Sequence, residues 1–598
     1  MMMRCAGERR VASTGRLIKI VSVPVCLLLL SGPARAQVPP DESWRSIETP
    51  HFRVTFPEHL EALGRRAADR AERAYVELSV AFIESPDGPI DLILTDHADV
   101  SNGFAQVTPS NRIVIYARPP VDDPGLGHID EWLELVITHE LAHIVQLDLT
   151  ENPIGKLARS IFGRVAAPWP FFPGRGTPRW ITEGLATWYE SSLTEAGRVR
   201  GTFHEMVLRT AALEGRLEGI GQTQGESPEW PAGARPYAYG SLFFDHLTDK
   251  YGTELMGAFA KAIAGQWIPY RINAAGRSAF GSSLSEEWSL WAEGIRAATA
   301  ELDSQLQRYG PVTTPERLTV GARWALRPKV SPDGRWLLYS RSDGRSDSQL
   351  IFSLVDGTGA RELTRTNGLT THDWTPDGGV VFAQLEYADR YRLFDDLYEA
   401  QVDGSTRRIT NGARLTDPSV SPDGSWAVAV SGGGGTNGLS LVDLTSGAVT
   451  DFVSSDPDSH WAFPSISPNG RWIAVTHWTT GALHDVVVLD RNGLIVAELT
   501  SDRAIDLAPE WSPDGRYVLW ASDRTGILNI LAAPFDPESA RAGPPVLLTN
   551  VRTGALYPSV DPSGRWLYFS GYHVDGWELE RVPFDPETAV GAPPPDTR

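Results

Sequence analysis

Cysteine is all but missing from this chain: Cys5 and Cys26 are its only two, and both lie in the first 36 residues. Long apolar runs are scarce too. The run at residues 20–30 falls well short of the ~20 residues that span a bilayer, and nothing after it is apolar enough to do so. With Arg4, Arg9, Arg10, Arg16 and Lys19 ahead of it and Ala34, Arg35 and Ala36 behind, it reads as a secretory signal peptide cleaved after Ala36. The mature chain is then expected to be periplasmic or secreted, with no transmembrane anchor and no disulfide. Its stability has to come from packing and from any bound metal. Positive charge is the third shortage. After residue 36 there are 48 Lys and Arg against 74 Asp and Glu, a net charge of −26 that argues against nucleic acid as a partner.

What is present divides into two halves, as a chain of this length requires. In residues 37–304, alternation predicts strands at 51–56, 89–94 and 112–117, a 3.6-residue period predicts a helix at 60–82, and helices dominate afterwards. Periodicity fades at 305–316, which we read as a linker. From 317 to 598 the sequence repeats. The turn Ser-Pro-Asp-Gly at 331–334 returns, unchanged or with one or two substitutions, at 375–378, 421–424, 467–470, 512–515 and 561–564, at intervals of 44 to 49 residues.

In each turn Pro presets φ and Gly accepts a positive one, so the acidic residue between them is expected to serve the turn rather than a ligand. Alternating runs follow, and each unit reads as one four-stranded blade. A Leu-Thr pair or close variant precedes every turn, first at Leu318 and Thr319, but none follows the sixth. The strand near 318 is therefore expected to complete the last blade and close a six-bladed ring, which removes exposed sheet edges. Trp336, Trp374, Trp472 and Trp511 are expected in blade cores.

The chemistry concentrates earlier. Residues 131–147 have helical apolar spacing and contain His139, Glu140 and His143. Imidazoles four residues apart share one helical face and can meet a single Zn²⁺, with Glu140 beside them to reach a water on the ion. Catalytic zinc takes a third protein ligand, and Glu183, near the start of a second expected helix, is a hard anionic candidate. Gly184 next to it permits another helix to come close. The stretch 168–178, rich in Pro and Gly, is expected as a loop near the cleft, with Trp169, Phe171 and Phe172 either packed on their own domain or forming a lip that contacts substrate or a lipid surface.

The His-Glu-x-x-His sequence at 139–143 followed by Trp-x-x-Glu-Gly at 180–184 resembles the gluzincin metallopeptidases of aminopeptidase N type. That resemblance implies His139, His143 and Glu183 as zinc ligands, Glu140 as general base, and Glu190 as support for a ligand histidine; a solvated helix face is the alternative for Glu190. Tyr237, in Tyr-x-x-Gly at 237–240, matches a tyrosine that hydrogen-bonds the oxyanion, with core packing as the alternative for it and more so for Tyr239. His143 and Glu183 stand 39 residues apart, about twice the familiar spacing, and no Gly-x-Met-Glu-Asn strand is present. The repeats of residues 317–585 resemble TolB-like propellers. Together these imply an α+β zincin-like metallopeptidase domain followed by an all-β six-bladed propeller. The expected function is an exported zinc metallopeptidase acting on a peptide or protein, with the propeller gating substrate or docking an envelope partner. The alternative is a propeller-based binding or assembly protein whose zinc domain is inactive or acts on another bond.

Overall fold

Alternation along residues 52–56 turns Phe52, Val54 and Phe56 inward, and all three are buried. In the computed structural model, which describes residues 38–594 except 83, 84, 87 and 226, they belong to a five-stranded mixed sheet. The expected signal peptide and its cleavage point lie outside the described residues. Strand β2 (Phe52–Pro57) pairs antiparallel with β1 (Trp44–Glu48) and parallel with β3 (Ile90–Thr95). Helix α1 (Glu61–Phe82) connects β2 to β3 and descends on Phe56 at Gly64, where a Cβ would stand 2.3 Å from the ring. β5 (Arg112–Tyr116) continues the sheet in parallel, and β4 (Gly103–Gln106) closes it as an antiparallel edge. β1 and β4 are the strands without a sequence signal; both are short and half-exposed, so they carry little alternation.

Helix α2 (Trp132–Asp148) packs on α1 and the sheet and is buried along nearly its whole length. Glu131, just ahead of it, receives Arg66 and Arg70 of α1 instead of capping the helix with its side chain. There follow α3 (Pro153–Phe162), α4 (Arg179–Leu193), α5 (Thr202–Leu213), α6 (Arg235–Tyr251), α7 (Leu255–Ala264), α8 (Ile272–Phe280), α9 (Leu284–Ala300) and α10 (Leu302–Leu306). No helix among the described residues is long and apolar enough to cross a membrane.

The C-terminal half is β-rich and propeller-like. Its strands form six antiparallel units, at 324–366, 372–408, 415–453, 459–498, 506–547 and 555–583. The first strand of each unit lies against the first strand of the next, and the sixth against the first, so the ring is closed. The outer strand of the sixth unit is Glu316–Arg317, antiparallel to residues 576–583. The linker is accordingly shorter than 305–316: Gln305 and Leu306 belong to α10, where Leu302 and Leu306 are buried, and Glu316 is already in the sheet. Near the other end, Val590–Gly591 pairs with Val546–Leu547 of the fifth unit.

The turns follow their chemistry. Asp423 Oδ1 accepts from Ser421 Oγ at 2.7 Å and from the Ser425 N–H at 3.0 Å, with Gly424 at φ +73°. Trp374 and Trp511 are buried and donate to backbone carbonyls of the preceding units, Lys329 and Ser465, each at 3.0 Å; Trp336 and Trp472 are only half-buried. Around the axis the inner strands bulge at Arg327, Asp417, Phe463, Ala508 and Tyr557, non-glycine residues with positive φ that each precede a proline. Arg327 bonds Asp417 at 2.9 Å and Lys329 bonds Glu510 at 2.5 Å, leaving an axial space of about 60 Å³. That is room for a few waters.

Candidate metal centre

Almost the whole of α2 is buried, so the histidines at positions 139 and 143, one turn apart, point together into a protein-lined cleft rather than into solvent. Their rings meet edge to face with centroids 4.8 Å apart. α4 supplies Glu183, whose Oε2 lies 3.3 Å from His143 Nε2 and 3.8 Å from His139 Nε2. One ligand atom from each of the three falls within 4.8 Å of the others. Tetrahedral zinc with bonds of ~2.1 Å separates its ligands by about 3.4 Å, so this donor set fits Zn²⁺.

The approach of Glu183 depends on a glycine contact. α4 crosses α6 at Gly184 and Gly240, where a Cβ on Gly184 would stand 2.5 Å from Gly240 Cα and C. The same crossing places Tyr237, in the first turn of α6, on the cleft wall. Its ring lies parallel to that of His139 at 6.3 Å, with the Arg198 guanidinium 5.0 Å from its centre. Burial, then the charge of Glu183, holds the phenol well above its ordinary value, so it is a proton donor at neutral pH. Tyr239 faces the other way, buried against Trp288, its oxygen accepting from the Glu218 N–H at 3.4 Å.

Glu190 is fully buried rather than on a solvated face. Its Oε2 lies 2.8 Å from His139 Nδ1, so that nitrogen donates to the carboxylate, and a metal ion would have to displace the proton of Nε2, which faces Glu183. Arg198 grips the same carboxylate through Nε and Nη2, both at 2.7 Å. Burial would raise Glu190, but Arg198 outweighs it, and the group sits at about 2. Burial also works against a charged His139; the carboxylates of Glu183 and Glu190 overcome it and lift that histidine to about 9. Glu183 is held far below the ordinary carboxylate range despite its own burial by the two histidines. Among the described residues, His143 Nδ1 is buried with no hydrogen-bond partner.

Glu140 lines the cleft beside the edge strand. A Cβ on Gly103 of β4 would stand 3.0 Å from Glu140 Oε1 and 2.7 Å from Val136 Cγ2, so the strand passes this close only as glycine. The cleft, about 470 Å³, is lined by residues 101–105 of the edge, by α2, by Arg175 and Arg179, and by Tyr237. Sequence reasoning missed Arg198, Arg175 and the edge strand. Arg198 sits eight residues past Glu190 outside any motif, and only the fold brings it back. In the loop at 168–178, Phe172 is buried under Arg159 while Trp169 and Phe171 are half-buried. His204, given no role from sequence, is buried and bonded to Ser241 Oγ at 3.2 Å.

Residues 396–570 match the TolB beta propeller domain family. The match lies wholly within the repeats. A protein of Treponema pallidum is 26 % identical over 214 residues, 35 % of this chain, and a TolB homologue of Chlorobium chlorochromatii is 28 % identical over 149 residues, 24 % of this chain. Those stretches span only 18 % and 32 % of the two relatives' own lengths. The crystal structure of TolB from Acinetobacter baumannii is similar at 18 % identity with a TM-score of 0.32, over 50 % of this chain and 71 % of that one.

The propeller is joined to the candidate metal centre through the residues that enter α2. Trp478 Nε1 donates to Ile129 O at 3.0 Å, the Gly481 N–H donates to Asp130 Oδ1 at 2.6 Å, and His484 Nε2 lies 2.7 Å from Gly127 O. Arg414 grips Asp96 and Asp99 after β3, and Trp230 Nε1 donates to the Tyr572 hydroxyl at 2.8 Å. One buried apolar cluster runs from Phe52 in the sheet through α2, α4 and α6 to Trp478, Leu507 and Phe569 of the propeller.

Proposed function

We propose that the chain is a zinc-dependent hydrolase of peptide bonds that works outside the cytoplasm. The observation that carries this reading is the convergence of His139, His143 and Glu183 in a cleft that also holds Glu140 and Tyr237. Bound there, Zn²⁺ would supply a Lewis acid and an acidified water. Glu140 takes the proton of the attacking water and returns it to the leaving amine. The Tyr237 phenol donates to the oxyanion as charge develops on the carbonyl oxygen. Glu190, kept ionised by Arg198, orients His139. The free side of β4 offers an extended peptide the backbone groups of one more strand, alongside Glu140. This arrangement supports the zincin-like, gluzincin-type domain expected from the motifs, and the signal-peptide pattern read in the sequence of residues 1–36 supports export.

A second reading rests on the repeats at 396–570 and on the relative named as a TolB homologue: a propeller that docks an envelope protein, with the metal centre idle or acting on another bond. Zinc content and casein cleavage by the mature chain, beside Glu140→Gln, separate the two. One zinc per chain in both proteins, with cleavage only in the parent, supports the peptidase. Absence of zinc would sink it and favour docking.

A further inference from the structure

We propose that the protein docks on an anionic lipid surface through α3 and the loop at 265–271, at the rim of the cleft. This surface is argued independently of the metal.

α3 is an inside-out helix. Its spacing puts Asn152, Gly155 and Arg159 along one side and Leu157 and Ile161 along another. The side turned to the protein is the polar one. A Cβ on Gly155 would stand 2.3 Å from Pro170 O, Asn152 Oδ1 caps the helix by accepting from the Ile154 N–H at 2.8 Å, and Arg159 reaches Asp148 Oδ1 at 2.6 Å. The apolar side faces out, with Leu157 61 %, Ile161 61 % and Phe162 67 % exposed. In water such a helix loses the burial that ordinarily holds an amphipathic helix in place.

The neighbouring loop repeats the pattern: Trp267 is 63 %, Ile268 59 % and Tyr270 70 % exposed. The two segments form one surface. The N–H groups of Glu151 and Asn152 donate to Ala264 O at 3.2 and 3.1 Å, and Tyr270 lies against Gly176 in the stretch that contributes Arg175 and Arg179 to the cleft.

Charge selects the occupant. The chain has 75 Asp and Glu against 54 Lys and Arg, yet residues 152–182 contain five Lys or Arg and no carboxylate, and residues 255–285 contain three and none. Lys156, 57 % exposed at its side chain and paired with Glu151, and Arg271, exposed, border the apolar side chains. Outward aliphatic and aromatic residues bordered by Arg271 and by the ion pair of Lys156 with Glu151 are complementary to a bilayer interface bearing anionic headgroups. A surface so placed would present the cleft to substrates at the membrane.

The test is cosedimentation of the mature full-length chain with phosphatidylglycerol-rich vesicles and with pure phosphatidylcholine vesicles, beside the triple variant Leu157→Ser, Ile161→Ser, Phe162→Ser. All three positions are exposed, and an unchanged unfolding midpoint verifies the fold. The expected result is preferential binding to anionic vesicles, weakened by salt and cut at least about tenfold in the triple variant. Brominated lipid should quench tryptophan emission in the parent and less so in Trp267→Phe. Binding to neither vesicle, or equal binding by the triple variant, overturns the proposal. So does a parent dimer that the triple variant dissolves without any vesicle binding, since a second copy would then own the surface.

Discussion

Gly240 meets Gly184 backbone to backbone: a Cβ on Gly240 would stand 2.8 Å from Gly184 Cα and 2.2 Å from Trp180 O. The carboxylate of Glu183 and the phenol of Tyr237 ride on the two helices that cross here. Gly240→Ala should force α4 and α6 apart at a cost of about 1–3 kcal/mol, and zinc affinity should fall with stability. Thermal unfolding and zinc titration check both; an alanine variant with the parent's midpoint and affinity would show that the crossing tolerates a side chain.

Glu190 holds His139 and is itself held by Arg198, so its charge serves two buried groups. Glu190→Gln keeps the shape but leaves Arg198 without a counter-charge. Zinc affinity, measured against a competing chelator, should drop about 10- to 100-fold, with a loss of about 3–5 kcal/mol in stability from the orphaned cation. Adding Arg198→Met should recover much of the stability and little of the affinity. Recovery of both would mean that Glu190 orients nothing.

These residues also mark how far the sequence could be read. His139, Glu140, His143 and Glu183 were legible because helical periodicity and short spacing are local properties, and Ser-Pro-Asp-Gly was legible because each turn is built from its own four residues. Arg198 and the edge strand at Gly103 were not. Their positions beside His139 and Glu140 come from the return of the chain after α4 and from the strand order, which no window of sequence contains. The inner-strand bulges before proline escaped for the same reason: non-glycine residues accept positive φ there only because the ring around them fixes the strands.

Trp478 couples the propeller to the entry of α2. It is 2 % exposed, stacks on His460, and donates to Ile129 O three residues before the helix begins. Trp478→Ala should cost about 3–5 kcal/mol, and hydrogen exchange should rise first at residues 127–132. Because one apolar cluster crosses the seam, residues 37–304 expressed alone should show no cooperative thermal transition. A sharp transition for that fragment would refute the shared core.

Asp523 sits on the same seam, where Thr202 Oγ1 donates to its Oδ2 at 3.0 Å and the Ile505 N–H to its Oδ1 at 2.7 Å. Burial pushes the carboxyl up to about 6 from an ordinary 3.8, against the pull of both bonds. The sign follows from which state keeps the proton. Below about pH 4 folded and unfolded chains both hold it, and the contribution of the group is fully present. Between about 4 and 6 the unfolded chain releases its proton while the folded one retains it, so stability falls as pH rises, by up to about 3 kcal/mol. Asp523→Asn keeps an acceptor for Ile505 and turns its amide toward the Thr202 oxygen without a charge to bury. The variant should gain stability over the parent as pH rises through that window and hold a constant lead above it. Denaturant unfolding of the two proteins from pH 4 to 7 measures the difference directly, and parallel curves would mean that Asp523 ionises in the fold as it does in water.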